Sequence, residues 1–144
     1  MKALATIGYE NETQAVVIDR LKRAGVEVLI DVRAVASSRR AGFSKTLLAA
    51  SLAEAGIDYV HLRQLGTPKP GRDAARKGHV AEMHAIYEDH LAEPGAQLEL
   101  AKATEIARER KAALLCYEAD VEGCHRKIVA DRICGALGCT IENL

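Results

Sequence analysis

Five residues able to take part in chemistry cluster near the end of this chain. Cys116 and Glu118 are followed, after five residues, by Cys124, His125 and Arg126. A deprotonated thiol is a nucleophile, a carboxylate or an imidazole transfers protons, and a guanidinium group binds anions. The pattern therefore favours a site that binds or transforms an anion. We expect Cys116, Glu118, Cys124 and His125 to be its catalytic residues.

The residues around this cluster predict a strand, a loop and a helix. Residues 112–116 form an apolar run that suits a buried strand. After the loop, Ile128, Val129 and Ile133 recur at helical spacing, and Gly138 supplies a stop. In an open α/β sheet, ligands bind at the carboxyl ends of the strands. The first turn of a helix also offers free N–H groups to an anion.

The rest of the chain predicts an α/β fold that occupies residues 1–144 as a single domain. Strands alternate with helices, which indicates parallel β-α-β units. We expect a three-layer fold, with a mainly parallel sheet of four or five strands, helices on both faces and the strand order 3-2-1-4-5. The predicted strands are 2–7, 26–32, 57–61, 112–118 and a short one at 140–142, and the predicted helices are 12–24, 44–55, 79–91, 96–110 and 124–137.

A second group of polar residues follows the other predicted strands. Because parallel strands end at one edge of a sheet, we expect these residues to meet the cysteine cluster there. An alternative for Arg33 is an ion pair with Asp31 or Glu118 that holds the sheet edge. The predicted substrate-binding residues are Tyr9, Arg33, Ser38, Arg39, His61 and Arg126.

The longest stretch without a clear period is residues 62–78. It contains two prolines, three glycines and five basic residues. Long loops of this kind are usually functional or mobile, and few apolar contacts favour local opening. We therefore predict that this segment is among the most mobile parts of the protein and closes over the site.

Four cysteines lie in the last part of the chain, at positions 116, 124, 134 and 139. The sequence has no recognisable secretion signal and no apolar run long enough for a membrane, so we expect a cytoplasmic protein with reduced thiols. Cys124, beside Arg126 at a helix start, is expected to be the activated thiol. Zinc could bind Cys116, Cys124, His125 and Cys139, but their spacing matches no standard zinc site. We expect neither a metal nor another cofactor.

Charge and composition leave two classes of function open. The net charge is zero, although residues 33–78 contain nine basic and three acidic residues. The first hypothesis is an enzyme or ligand binder for an anionic small molecule or a nucleotide-like group. The alternative is a nucleic-acid-associated module that uses the basic segment, whose affinity would fall steeply with salt. The oligomeric state does not follow from the sequence.

Several short motifs in this sequence resemble the DUF488 family. The most specific is Cys-x-Glu, five residues, then Cys-His-Arg, at 116–126. Proteins of this family often have proline two residues before the Ser-Arg pair, where this chain has Ala36. The resemblance implies an α/β fold and the location of a site, but no reaction. The other matching motifs are Thr6-Ile7-Gly8-Tyr9, Leu29-Ile30-Asp31-Val32-Arg33, Ser38-Arg39, Phe43-Ser44, Gly56-Ile57-Asp58-Tyr59 and Leu65-Gly66-Thr67-Pro68-Lys69.

A weaker resemblance is to rhodanese and cysteine-phosphatase domains. It rests on residues 29–33 and on the apolar run that ends at Cys116. Those enzymes hold an anion in a short loop that begins at the cysteine and ends at an arginine. Here Arg126 comes ten residues after Cys116, and the intervening loop is acidic. Sulfur or phosphate transfer on Cys116 is therefore not the expected reaction.

Overall fold

A computed structural model describes residues 3–144 and contains one sheet of five parallel strands. Lys2, which the sequence places in the first strand, lies outside the described residues. The order along the sheet is β3-β2-β4-β1-β5. The strands are β1 (Leu4–Gly8), β2 (Val28–Asp31), β3 (Asp58–His61), β4 (Ala112–Cys116) and β5 (Ile141–Asn143).

The predicted strand order was wrong because β1 and β4 are exchanged, so that β4 lies between β2 and β1. All five residues of β4 are apolar and buried, as a strand covered on both faces requires. β1 instead carries Thr6, whose hydroxyl donates to the side chain of Asn143 on β5 at 2.5 Å. The short fifth strand is confirmed.

Six α-helices are present in the described residues, and they cover both faces of the sheet. Helices α1 and α2 pack on one face through Val17, Leu21, Leu48 and Leu52. Helices α4, α5 and α6 pack on the other, which confirms the three-layer α/β fold. The helices are α1 (Gln14–Arg23), α2 (Lys45–Glu54), α3 (Lys69–Arg76), α4 (Val80–Leu91), α5 (Pro94–Glu109) and α6 (Arg126–Leu137).

Several helix ends follow from local residue choices. Thr13 caps α1, because its hydroxyl accepts from the backbone N–H of Val16 at 3.2 Å. Gly138 ends α6 with a φ of 70°, the left-handed conformation that glycine adopts easily. Leu48 and Leu52 form the buried face of α2, whereas Leu47 is 59% exposed. The last helix begins at Arg126, two residues later than the sequence suggests.

The segment 62–78 is not a loop throughout. It contains a 3-10 turn (Arg63–Leu65) and the helix α3, which has prolines at its start. Gly71 is buried, and a Cβ there would lie 2.4 Å from the Cγ2 of Thr67. No helix in the described part of the chain is long and apolar enough to cross a membrane.

Candidate functional site

The carboxyl ends of β1, β2, β3 and β4 form one edge, as the sequence predicts. Gly8 pairs with Cys116, and Asp31 pairs with both Leu115 and His61. A Cβ on Gly8 would lie 1.8 Å from the carbonyl oxygen of Glu118. Glycine at this position therefore lets the connection from β4 to α6 cross directly over the end of β1.

A cavity of about 460 Å³ opens at this edge. Its volume lies in the range of sites for small molecules. One wall comes from the segment that contains α3, which supplies Thr67, Arg72, Ala75 and Arg76. The predicted site residues that line it are Tyr9, Arg33, Cys116, Glu118, Cys124 and His125.

Four predicted binding residues do not line this cavity. Ser38 joins the loop before α2, where its backbone N–H donates to the hydroxyl of Ser44 at 3.1 Å. The side chain of Arg39 is exposed to solvent. His61 hydrogen-bonds through Nε2 to the carbonyl of Arg33 at 2.8 Å and borders a shallower groove beside α5. Arg126, the fourth, lies behind the cavity wall, 1% exposed.

Arg33 forms a buried ion pair with Asp31. This was the alternative to substrate binding that the sequence offered for Arg33. Its Nη2 lies 2.7 Å from Oδ2 of Asp31, and its Nη1 donates to the hydroxyl of Tyr9 and the carbonyl of Phe43 at 3.1 and 2.7 Å. Burial alone would lower the pKa of Arg33, but the hydrogen bonds and charge of Asp31 raise it above its usual range. Arg33 therefore brings little unbalanced charge to the cavity.

Arg126 differs from Arg33 because its hydrogen bonds reach no carboxylate. Its Nη1 lies 3.0 Å from Sγ of Cys116 and also donates to the carbonyl of Glu118. Its Nη2 donates to the carbonyl of Ala119 at 3.2 Å, and its buried Nε has no partner among the described residues. Burial lowers the pKa of Arg126, with the charges of Glu118 and Asp120 opposing that effect.

The predicted position of the arginine charge was therefore wrong. The guanidinium of Arg126 stands beside Cys116, whereas Cys124 receives only its backbone N–H, at 3.5 Å from Sγ. Arg126 is the first residue of α6, and helical side chains point back toward the N-terminus of their helix. That direction carries the guanidinium to the end of β4. The hydrogen bonds of Arg33 and Arg126 share no partner, so the two groups do not converge on one anion.

The expectation of four separate thiols is also wrong for this structure. Cys116 and Cys124 form a disulfide at the cavity, and Cys134 and Cys139 form another at the end of α6. The seven residues between Cys116 and Cys124 return the chain to the strand end, which brings the two sulfurs together. Spacing alone did not indicate this pairing.

Glu118 and His125 stand next to the two cavity sulfurs. Oε2 of Glu118 lies 3.4 Å from Sγ of Cys116, and burial raises the pKa of this carboxyl. His125 is held by Nε2, 2.7 Å from the carbonyl oxygen of Val32, which can only accept a hydrogen bond, so Nε2 carries the hydrogen. Nδ1 is therefore the unprotonated nitrogen, and it lies 3.7 Å from Sγ of Cys124. Burial lowers the pKa of His125 to about 4, so the ring is neutral at pH 7.

A family model, described as domain of unknown function DUF488, matches residues 13–133. The chain belongs to the DUF488 family. No curated protein and no solved structure matches it. The family confirms the resemblance seen in the sequence motifs, and it assigns no reaction to this DUF488 protein.

The cavity of this DUF488 protein contains three potential ligands for a soft metal. The ligand atoms of Cys116, Cys124 and His125 lie within 4.8 Å of one another. Nδ1 of His125 is free to coordinate, since Nε2 is fixed by a carbonyl, as in many metal sites. Coordination would require both cysteines to be reduced. Cys139, the fourth residue considered from sequence, pairs with Cys134 instead.

Sequence reasoning missed Arg72 and Thr67 as cavity residues. Both belong to the segment predicted to close over the site, but neither was assigned a role. Nη1 of Arg72 donates to the carbonyl of Thr67 at 2.9 Å. Neighbouring Arg76, by contrast, pairs with Asp73. Arg72 thus lines the cavity as a cation, and its hydrogen bond is to a neutral carbonyl rather than to a carboxylate. The one feature of the sequence that could have indicated these two residues is their position in a basic segment that contains prolines.

Protonation of His125 should destabilise the folded protein. The unfolded chain binds this proton near pH 6.5, while the folded chain binds it only near pH 4. The unfolded state therefore holds more protons between these values, so stability falls as pH drops through that window. When the pH is lowered from 7 to 4.5, the free energy of unfolding in urea should fall by about 2–3 kcal/mol less in His125→Gln than in the wild type. Gln keeps a donor for Val32. Equal losses in both proteins would contradict this assignment.

The mobility of the segment 62–78 remains a prediction, now focused on α3. This eight-residue helix forms a wall of the cavity and buries only Gly71 and Ala74. Its amides should exchange with deuterium at least tenfold faster than those of β4, because small buried side chains provide little resistance to opening. The amides of α5 serve as a helical control. Protection of α3 equal to that of β4 would argue for a fixed wall.

The basic segment 33–78 is less available for nucleic acid than its charge suggests. Arg33 is buried in an ion pair, and Lys69 and Arg76 both pair with Asp73. The nucleic-acid alternative remains a prediction, and steep loss of affinity with salt would be its signature.

Proposed function

We propose that this DUF488 protein is a thiol enzyme that acts on a small anionic molecule, with Cys116 as its nucleophile. One observation carries the proposal. The guanidinium of Arg126 is buried, hydrogen-bonds no carboxylate, and lies 3.0 Å from Sγ of Cys116.

The charges of Glu118 and Asp120 offset part of the cost of burying Arg126, but neither carboxylate hydrogen-bonds to its guanidinium. Burying an unpaired ion costs several kcal/mol, even after the surroundings relax. Once the disulfide is reduced, the thiolate of Cys116 can supply a negative charge at hydrogen-bond distance from Arg126. Nearby positive charge is also what turns an ordinary thiol into a reactive thiolate. The same contact thus stabilises the arginine and activates the cysteine.

Glu118 is placed to move the proton of this thiol. Its carboxyl oxygen lies 3.4 Å from Sγ of Cys116, and its raised pKa brings proton exchange closer to neutral pH. It would accept the proton when the thiolate forms and return it to a leaving group. His125 stands beside Cys124 rather than Cys116, so we assign it to the second sulfur.

Recognition of an anion is assigned mainly to Arg72. Arg33 is neutralised by Asp31, and Arg76 is paired with Asp73. The wall of the cavity also includes Val35 and Tyr117, which are 53% and 43% exposed. An anionic group near Arg72 and an apolar or planar part against Tyr117 would suit a small acid or a nucleotide-like molecule.

The compartment is part of the proposal. In the cytoplasm, the location predicted from sequence, thiol pools would keep Cys116 and Cys124 reduced and available for reaction.

Competing alkylation tests the proposed nucleophile. The protein is reduced, freed of reductant and exposed to limiting iodoacetamide at pH 7, and labelled peptides are counted by mass spectrometry. Cys116 should be modified several-fold faster than Cys124, even though each is only 1% exposed. Cys134 and Cys139 provide internal controls outside the cavity. Faster labelling of Cys124 would return the role of nucleophile to the helix-start cysteine.

A further inference from the structure

We infer that Cys116 and Cys124 form a reversible dithiol–disulfide pair, and that this protein reduces small disulfides that carry carboxylate groups. The inference rests on the proposed role of Cys116 as a nucleophile. It adds a reaction, a resolving cysteine and a substrate class.

The first support is the location of the two disulfides. Cys116 and Cys124 line the cavity, where a small molecule can meet their sulfurs. Cys134 and Cys139 connect the last turns of α6 to the segment before β5, and neither lines the cavity. Only one of the two bonds therefore faces a place where a substrate could bind.

The backbone also accommodates the reduced form. The Cα atoms of Cys116 and Cys124 are 7.5 Å apart. Disulfide-bonded cysteines usually have Cα atoms about 4.4–6.8 Å apart. The wider spacing suits two separate thiols, so reduction of the pair needs no rearrangement of the fold.

The two sulfurs stand in different surroundings, which gives the reaction a direction. Cys116 lies next to Arg126 and Glu118, and it attacks first. Cys124 lies 3.7 Å from the unprotonated Nδ1 of His125, which can accept its proton for the second step. Cys116 is thus the attacking cysteine and Cys124 the resolving one.

A single turnover balances between the reduced protein and its substrate. The thiolate of Cys116 attacks one sulfur of the substrate R–S–S–R, forms a mixed disulfide and releases one thiolate, which Glu118 protonates. Cys124 then attacks the sulfur of Cys116, forms the Cys116–Cys124 disulfide and releases the second thiol. The protein loses two electrons, and the substrate gains them. A cellular dithiol would regenerate the reduced protein.

The charge of the cavity selects among disulfides. Arg72 is half-buried on the wall and hydrogen-bonds only a carbonyl, so it can bind a carboxylate of the substrate. The lining of the cavity also includes two acidic residues, Glu10 and Glu118, which repel a carboxylate. A substrate must therefore present its carboxylate toward α3 and its sulfur atoms toward Cys116.

Two disulfides of different charge provide the test. The reduced protein is mixed with oxidised glutathione or with bis(2-hydroxyethyl) disulfide, and released thiol and protein mass are followed with time. We expect two thiols per protein, one new disulfide between Cys116 and Cys124, and at least tenfold faster reaction with oxidised glutathione. In Cys124→Ser the reaction should stop at one thiol, with glutathione attached to Cys116. A double variant, Cys134→Ser with Cys139→Ser, should still release two.

A charge variant tests the selection. Arg72→Gln should lower the ratio of the rate for oxidised glutathione to that for the neutral disulfide about tenfold. Arg63→Gln, which removes an exposed charge outside the cavity, should leave this ratio unchanged. Disulfide formation at Cys134–Cys139 alone, or equal rates for both disulfides, would overturn the inference. If Cys116 were still alkylated fastest, the proposed nucleophile would stand without the redox role; if it were not, both would fall.

Discussion

Replacing Arg126 with methionine should raise the pH at which the reduced thiol of Cys116 ionises by about 1–2 units. A hydrogen bond to a charged group contributes about 1.5–3 kcal/mol, and each pH unit corresponds to about 1.4 kcal/mol. The contact of 3.0 Å between Nη1 and Sγ is the interaction that this variant removes. The pH dependence of Cys116 alkylation, mapped by peptide, measures the shift.

Arg126→Lys provides the matched control, because it keeps a positive charge near Cys116. It should preserve most of the effect, although a lysine cannot also reach both carbonyls of the β4–α6 connection. The methionine variant leaves the carbonyls of Glu118 and Ala119 without this donor, so its fold is verified by circular dichroism before alkylation. An unchanged alkylation profile in Arg126→Met would show that the guanidinium does not activate the thiol.

Asp31→Asn should destabilise the fold by about 3–5 kcal/mol, because it leaves the buried Arg33 without its counter-charge. Asp31 is fully buried and also accepts from the hydroxyl of Tyr59 at 2.6 Å. Burial, and then this hydrogen bond, raise the pKa of Tyr59 above its usual range. The free energy of unfolding in urea at pH 7 measures the loss.

Asp58→Asn is the control for an exposed pair. Asp58 contacts Arg110 at 2.8 Å, but its side chain is 70% exposed. Exposed ion pairs contribute at most about 1 kcal/mol. If the two variants lost similar free energy, the Asp31–Arg33 pair would not be the support of the sheet edge that its burial indicates.

Much of the fold could be predicted because it depends on local patterns. The alternation of strands and helices, the cap at Thr13 and the glycine stop at Gly138 are all local signals. The position of β4 is not local, since it depends on which neighbours bury an entirely apolar strand. α3 was missed because its prolines and glycine resemble a loop. Proline is favourable at the start of a helix, and Gly71 leaves room for the side chain of Thr67.

The sequence predicted which strand ends meet, but not how the side chains there pair with one another. Parallel strand ends brought Tyr9, Arg33 and Cys116 to one cavity, as expected. The partner of each arginine could not be predicted, because it depends on side-chain direction. The sequence predicted a start of α6 at residue 124, whereas the helix begins at Arg126. The guanidinium of Arg126 accordingly lies beside Cys116 and not beside Cys124.

The central claim is that the reduced thiol of Cys116 is held as a thiolate. It is tested most directly in the variant Cys124→Ser, Cys134→Ser, Cys139→Ser, in which Cys116 is the single thiol. Thiolate absorbance near 240 nm is followed as pH rises, with Glu118, His125 and Arg126 as the neighbouring ionisable groups. We predict that Cys116 ionises at least one unit below a free cysteine, whose value is about 8.5. Ionisation at or above that value would contradict the account.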